Sequence, residues 1–223
     1  MNPPDLTTLP NPQLLTLGWI GLVIIFGVWL QSGDWRKLLD ARRSNLFLGA
    51  TVAVMALWQV RTGIRPGLDF HLFGITALTL MFGFSRAVLA GVLVQAASAA
   101  FGHGAWNAIG LNTLALVAVP AGFTALVHGI AQRHLPRHLF VYLMLSGFIS
   151  AGIGVLLAGA AESLALFLGG AYGLSFLLEN YLAYYILVAF SEAFLSGGVV
   201  TLMAVYRPSW LESYDEAAYI PHV

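Results

Sequence analysis

The stretch LAYYILVAFSEAFLSGGVVTLMAVY, residues 182–206, decides the fold class of this 223-residue chain. A helix that crosses a lipid bilayer needs roughly 20 mainly apolar residues, and this run is long enough. Glu192 is its single charged residue. A carboxylate at that depth is costly unless it is paired, hydrated or protonated, so it marks a position of structural or functional importance. Two roles remain open for Glu192: a hydrogen-bonding clamp between helices, or part of a path for a ligand.

Apolar runs of similar character recur along the rest of the chain. Hydrophobic residues make up 59% of the sequence and charged residues 9%, whereas soluble domains carry about 25% charged residues. The earlier runs lie at residues 14–30, 45–60, 72–84, 87–101, 111–131 and 139–159. A further stretch, residues 163–178, is interrupted by glycines and is either a short additional helix or a re-entrant piece. The strict alternation of a membrane barrel is absent.

These runs predict an all-α, polytopic membrane helix bundle with six or seven transmembrane helices. The whole chain, residues 1–223, forms a single integral membrane domain in this interpretation. Its ends are an outer N-terminal segment, residues 1–13, and a cytoplasmic C-terminal tail, residues 207–223.

The basic residues predict the orientation, because cytoplasmic loops are enriched in Lys and Arg. With seven helices and the N-terminus outside, most basic residues collect on the inner side: Arg36, Lys37, Arg42, Arg43, Arg86, Arg133, Arg137 and Arg207. The outer side keeps only Arg61 and Arg65. The opposite orientation reverses this ratio, so we expect the N-terminus outside and the C-terminus inside.

Several function classes find no support in the composition. Ten Lys and Arg balance ten Asp and Glu, which leaves no net charge to attract nucleic acid. The absence of cysteine excludes disulfides and thiolate chemistry. The sequence contains no GxxxxGK[ST] motif for nucleotide phosphates and no GxSxG or HExxH motif. We therefore expect no enzymatic activity and no nucleotide site in this chain.

Two histidines stand where loops on the predicted outer side meet helices. His71 follows a turn rich in Gly and Pro, and His103 lies in the link between two apolar runs. Imidazole nitrogen is a common ligand of transition metals. However, the separation of 32 positions between the two histidines matches no ligand-spacing motif. For either histidine alone, the pattern favours an interfacial hydrogen bonder over a metal ligand. Asn112, at a Gly-rich helix start, is a candidate to cap the helix or to orient a ligand.

Two segments resemble the signatures of one membrane family. Residues 67–74, GLDFHLFG, resemble G-T-S-G-H-L-x-G, and residues 101–112, FGHGAWNAIGLN, resemble F-x-D-G-G-x-x-A-L-G-x-N. Both signatures are typical of the CbiM/NikM-like components, the cobalt and nickel substrate-binding membrane subunits of energy-coupling-factor (ECF) ABC transporters. The late-helix Glu192 matches the family as well. The ending VYRPSW, residues 205–210, resembles a proteobacterial branch known as predicted membrane proteins.

The resemblance implies a metal site. In the family, an N-terminal Met-His pair and the histidine of the G-H-L signature bind the metal. His71 occupies the latter position, but position 2 is Asn2, whose amide is a poor nitrogen donor. His103 stands where the family has the aspartate of D-G-G. We therefore expect His71 and His103, with Asp69 or Asn112 nearby, to bind a transition-metal ion of the cobalt and nickel class as substrate.

The resemblance also implies partners, namely an ECF coupling transmembrane subunit and two cytoplasmic ATPases at the inner membrane of a bacterium. A second interpretation stays open. In it the chain keeps the fold, has lost the N-terminal metal clamp, and serves as a structural or accessory subunit of a larger membrane complex.

Overall fold

The computed structural model describes residues 11–65 and 67–219. Asn2, on which the family's N-terminal clamp would depend, lies outside the described residues. Within them the chain is mostly helical, as the apolar runs predict. We number the helices and strands in chain order.

Apart from short 3-10 segments, the described residues form nine helices. They are α1 Pro12–Ser32, α2 Ala41–Gln59, α3 Ile75–Phe82, α4 Phe84–Ala100, α5 Trp106–His134, α6 Leu139–Leu168, α7 Leu174–Asn180, α8 Tyr185–Tyr206 and α9 Glu216–Tyr219. Four segments are long and apolar enough to cross a membrane: α1, α5, α6 and the stretch Leu174–Tyr206 that contains α7 and α8. The structure thus shows a helical membrane fold with four candidate spans.

A small antiparallel hairpin interrupts the helical pattern. Strand β1, Arg61–Arg65, pairs with β2, Leu68–His71, and brings Arg61 opposite His71. Gly67 between the strands has φ 73, a left-handed conformation that glycine adopts without steric strain. The all-α prediction misses this element because short strands in a Gly- and Pro-rich loop carry little hydrophobic periodicity.

Helices α3 and α4 follow each other with only Gly83 between them. Gly83 has φ 83 and ψ 169, and a side chain there would be strained. All eight residues of α3 are buried. Because water cannot reach a helix buried in this way, the backbone groups at its two ends need protein partners.

The ends of α3 find those partners in distant parts of the chain. At its N-terminus the carboxylate of Glu192, from α8, accepts hydrogen bonds from the Phe73 and Gly74 amides. At its C-terminus, the Leu80 and Met81 carbonyls accept hydrogen bonds from the amides of Ser213 and Glu212 in the C-terminal tail. Helix α3 therefore links α8 to the tail.

The segments that connect the helices lie at two ends of the bundle, and long-range contacts show which segments share an end. At the first, which we call the hairpin end, Arg61 donates hydrogen bonds to the His103 carbonyl and the Ser98 hydroxyl. At the second, the tail end, Arg86 forms ion pairs with Asp34 and Glu212. The hairpin and the loop after α4 thus lie at one end, and the loop after α1 and the tail at the other.

The apolar stretch at residues 163–178 is divided between two elements. Its first part continues α6, which ends at Leu168, and its last part belongs to α7. Gly170, with φ 74, lies in the turn between them. The apolar runs predict a break after Gly159, but this glycine packs against the ring of Tyr185 and does not interrupt the helix.

Candidate metal-binding pocket at the hairpin end

The four residues predicted as a metal site line one cavity. His71 and Asp69 come from β2, His103 from the loop after α4, and Asn112 from α5. The space inside it that the centre of a water molecule can reach is about 110 Å³. Residues that lie up to 43 positions apart in sequence therefore face a common space in the fold.

The ring of His71 contacts two other rings. Its centroid lies 4.2 Å from that of Trp58 and 4.8 Å from that of Phe73. Its Nδ1 lies 3.2 Å from the Leu72 carbonyl oxygen. Because a carbonyl oxygen only accepts hydrogen bonds, Nδ1 carries the proton and Nε2 keeps its lone pair. In a metal-binding histidine, one ring nitrogen usually donates a hydrogen bond to a group such as a backbone carbonyl, and the other nitrogen binds the metal.

The surroundings of His71 also favour its neutral form. Burial lowers the pKa of His71 to about 4, and the nearby positive charge of Arg61 acts in the same direction, while the bond to Leu72 opposes both. Metal binding requires a neutral imidazole. His71 therefore has the protonation state of a metal ligand at neutral pH.

Arg61 ties the hairpin to the other side of the pocket. Its Nε donates to the Trp58 carbonyl at 2.9 Å, and its two terminal nitrogens donate to the His103 carbonyl and the Ser98 hydroxyl. One terminal nitrogen also lies 3.6 Å from Asp69 Oδ2. The Asp69 carboxylate is thus partly neutralised by Arg61.

His103 lies at the rim of the pocket, and Asn112 has a different place in its helix from the one that the sequence suggested. The His103 amide donates to the Ser98 carbonyl at 2.8 Å, which fixes its backbone, and the residue is exposed at the rim. Asn112 does not cap a helix, because α5 begins earlier, with Ala105 in the N-cap position. Gly110, which suggested a helix start, instead contacts the backbone of α1.

Sequence reasoning missed a carboxylate in this pocket. Glu162, in α6, lines the cavity, and its Oε2 accepts hydrogen bonds from the hydroxyls of Tyr181 at 2.6 Å and Tyr185 at 2.9 Å. The Tyr181 hydroxyl also lies 3.3 Å from the Asp69 carbonyl oxygen. A lone carboxylate in an apolar segment was the signal that singled out Glu192. The same signal applied to Glu162 once its helix was recognised to continue past Gly159.

Glu192 contacts the backbone beside the pocket. Its carboxylate accepts from Phe73 at 2.7 Å and Gly74 at 2.8 Å, and the Ser196 hydroxyl donates to it at 2.6 Å. The side chain is 1% exposed. Of the two roles that the sequence left open, these contacts are those of a clamp between helices.

Across residues 11–65 and 67–219, no three His, Asp or Glu side chains are grouped closely enough to form a metal centre by themselves. The predicted ligands share the pocket without converging on one point.

Fold and pocket together define the class of protein: a polytopic helical membrane protein with histidines and carboxylates around a cavity at one end. Residues 8–210 match the family model described as CbiM, cobalt uptake substrate-specific transmembrane region, and the chain belongs to this family.

Two crystal structures share the fold. One, of a truncated transition metal transporter, aligns with a TM-score of 0.76 at 18% identity and covers 92% of this chain and 98% of its own. The other, of a transition metal transporter, has a TM-score of 0.74 at 17% identity and covers 92% of both chains. No curated protein matches the sequence. Membership of the family makes the chain a membrane component of metal uptake.

Proposed function

We propose that this chain is the substrate-binding, permease-type membrane component for uptake of a transition-metal cation of the cobalt and nickel class. The observation that carries the proposal is the shared pocket of His71, His103, Asp69 and Asn112. His71 is the principal ligand, since its neutral ring keeps one nitrogen free. His103 is the substitute for the family's aspartate, and Asp69 and Asn112 complete or orient the site.

We further propose seven crossings, with the N-terminus outside and the C-terminus inside. The hairpin end, with Arg61 and Arg65, is then the outer end, and the tail end is cytoplasmic. Helix α3 counts as one short crossing, because its two ends contact elements of opposite ends of the bundle. The distribution of basic residues supports this orientation. It opens the pocket to the side from which a metal is imported.

Transport in this proposal depends on partners in a bacterial inner membrane. An ECF coupling transmembrane subunit and two cytoplasmic ATPases supply the energy, since the sequence has no P-loop motif. The metal is cargo, and nucleic acid plays no part.

Uptake of radioactive cobalt or nickel by cells tests the proposal. Cells that express the chain with a coupling subunit and ATPases of this family should accumulate at least fivefold more metal than cells without the chain. His71→Ala should abolish the gain, whereas His134→Ala, at an exposed position at the tail end, should not. Equal accumulation with and without the chain would overturn the proposal and favour the accessory-subunit interpretation.

A further inference from the structure

Three pocket residues lie on one face of the hairpin, and this inference, which rests on the proposed function, concerns the charges among them. In the antiparallel register Arg61 lies opposite His71, and Gly63 lies opposite Asp69. Side chains alternate between the two faces of a strand, so positions two apart share a face. Arg61, His71 and Asp69 therefore project on the same side, and all three line the pocket. A fixed positive charge thus lies beside the groups that are proposed to bind a cation.

The Arg61 guanidinium is held in place by neutral groups. Its three nitrogens donate hydrogen bonds to the Trp58 carbonyl, the His103 carbonyl and the Ser98 hydroxyl. The Arg61 side chain is only 11% exposed. Because none of these three acceptors carries a charge, they fix the guanidinium without neutralising it. Its positive charge therefore acts on the pocket.

Among the described residues, Asp69 is the one carboxylate that pairs with Arg61, and the pair is loose. Asp69 Oδ2 lies 3.6 Å from Arg61 Nη1, which is too far for a hydrogen bond. The other oxygen, Oδ1, lies over Gly63, where a Cβ would overlap it. The absence of a side chain at Gly63 thus gives the Asp69 carboxylate room to lie across the hairpin, near Arg61. A carboxylate held by charge alone is available to a cation of higher charge that comes as close.

The charges around the pocket show why this pair matters for a dication. Among the described residues, the carboxylates that line the cavity are those of Asp69 and Glu162. While Asp69 is paired with Arg61, only Glu162 is left to balance two positive charges. A dication that draws Asp69 away gains a second carboxylate, but a largely buried arginine then loses its ion-pair partner, which costs free energy. Metal binding and the Arg61–Asp69 pair therefore compete.

We propose that Arg61 is a built-in competitor of the substrate metal. It holds Asp69 across the hairpin while the pocket is empty, and an incoming dication takes Asp69 from it. The cost of separating the pair lowers the affinity of the pocket, so that the metal can be released again during uptake.

Calorimetry with nickel chloride, on the purified protein in lipid nanodiscs, tests this proposal. Arg61→Gln removes the competing charge, so it should tighten nickel binding at least tenfold, whereas Arg61→Lys keeps the charge and should not tighten it. The gain should fall to threefold or less when Arg61→Gln is made in an Asp69→Asn protein, because the contested carboxylate is then absent. A merely structural role of Arg61 predicts the opposite, since both variants would lose its hydrogen bonds and bind nickel more weakly.

A second variant leaves Arg61 and its hydrogen bonds in place. Gly63→Ala puts a methyl group where Asp69 Oδ1 lies, and the strand conformation of Gly63 suits alanine. Because a carboxylate at the end of a side chain moves easily, this change should displace Asp69 from its place near Arg61 and tighten nickel binding at least threefold. Gly49→Ala, on α2 with open space around it, should bind nickel as wild type does.

The outcomes separate this inference from the proposed function. Weaker or unchanged nickel binding in both Arg61→Gln and Gly63→Ala would overturn the competition and leave metal uptake intact. A gain that persists in full in the Asp69→Asn protein would also overturn it, because Asp69 would then not be contested. If Arg61→Gln does not fold, Gly63→Ala decides alone. Failure of wild-type protein to bind nickel or cobalt would contradict the proposed function itself.

Discussion

The Glu192 carboxylate lies at the N-terminus of α3, where it accepts a hydrogen bond from the Gly74 amide at 2.8 Å. A negative charge is favoured there, because the free amides and the helix dipole both present positive charge. Gly74 is three residues from His71, and the ring of the intervening Phe73 stacks on the His71 ring. Glu192 thus fixes the segment that connects the pocket to α3.

Replacing Glu192 by Gln should destabilise the protein. The amide side chain keeps one acceptor oxygen, so at least one of the three hydrogen bonds to this carboxylate is lost, along with its charge. Hydrogen bonds to charged groups contribute about 1.5–3 kcal/mol each. We expect a loss of about 2 kcal/mol, seen as a lower Tm of the purified protein in detergent. Glu179→Gln, at an exposed position on α7, is the control, and equal melting of all three proteins would refute the clamp.

The ion pairs of Glu212 at the tail end predict that the stability of the protein depends on pH. Glu212 forms ion pairs with Arg86 at 2.6 Å, Arg43 at 2.6 Å and Lys37 at 3.1 Å. Burial tends to raise the pKa of Glu212, but the hydrogen bonds and charges of Arg86 and Lys37 outweigh it and hold the pKa below its ordinary value of 4.5. The ion pairs therefore contribute full stability above pH 4.5 and lose it as the pH falls through the lowered pKa.

The Tm of wild-type protein and of the Glu212→Gln variant, measured over a range of pH, checks this prediction. At pH 7 the variant should be less stable by about 1–2 kcal/mol, because Arg86 is 2% exposed and Asp34 is then its one remaining ion-pair partner among the described residues. The difference in Tm should shrink steadily below pH 4.5. Glu216→Gln, at an exposed position in the tail, should match wild type throughout. A difference in Tm between wild type and Glu212→Gln that grows as the pH falls would contradict this prediction.

Glu162 should matter for metal binding even though it lies far from the signature segments. Its Oε2 is held by Tyr181 and Tyr185, so Glu162→Gln preserves most of the side-chain shape but removes the negative charge. We expect metal affinity to fall at least tenfold, which corresponds to about 1.4 kcal/mol. Titration of purified protein with nickel or cobalt measures this. An unchanged affinity would show that Glu162 has no part in binding the cation.

The contact between α1 and α5 should be sensitive to one methyl group. A Cβ on Gly18 would overlap the backbone of Leu111. Overpacking of this kind costs about 1–3 kcal/mol, and Leu111 and Asn112 line the pocket. Gly18→Ala should therefore lower both Tm and metal affinity. Gly27→Ala, on the same helix with open space around it, should change neither, and a Gly18→Ala protein with wild-type behaviour would argue against the close approach.

The sequence predicted the features that depend on a local pattern of residues. It did not predict the features that depend on contacts between segments far apart in the chain. Long apolar runs predicted the helical membrane fold, and the signature around His71 led to the family. The depth of Glu192 marked it as important, but its partners are backbone amides far away along the chain. The helix start predicted near Asn112 is wrong for the same reason, because Gly110 lies inside α5, against the backbone of α1.

The candidate site shows the same division. His71, His103, Asp69 and Asn112 were predicted from local patterns, and they line one pocket. Glu162 lies in an ordinary apolar helix, and only the packing of α6 around the hairpin brings it to the cavity. Such convergence depends on helix packing, which no local pattern encodes.

Above all, we propose transition-metal binding by the pocket at the hairpin end, through His71 and His103. Its most direct test is metal analysis of the detergent-purified protein after loading with cobalt, nickel, copper or zinc, for wild type, His71→Ala and His103→Ala. We predict close to one metal ion per chain in wild type and a loss of at least 80% of it in either variant. Wild-type protein without metal, or variants that retain it in full, would contradict the claim.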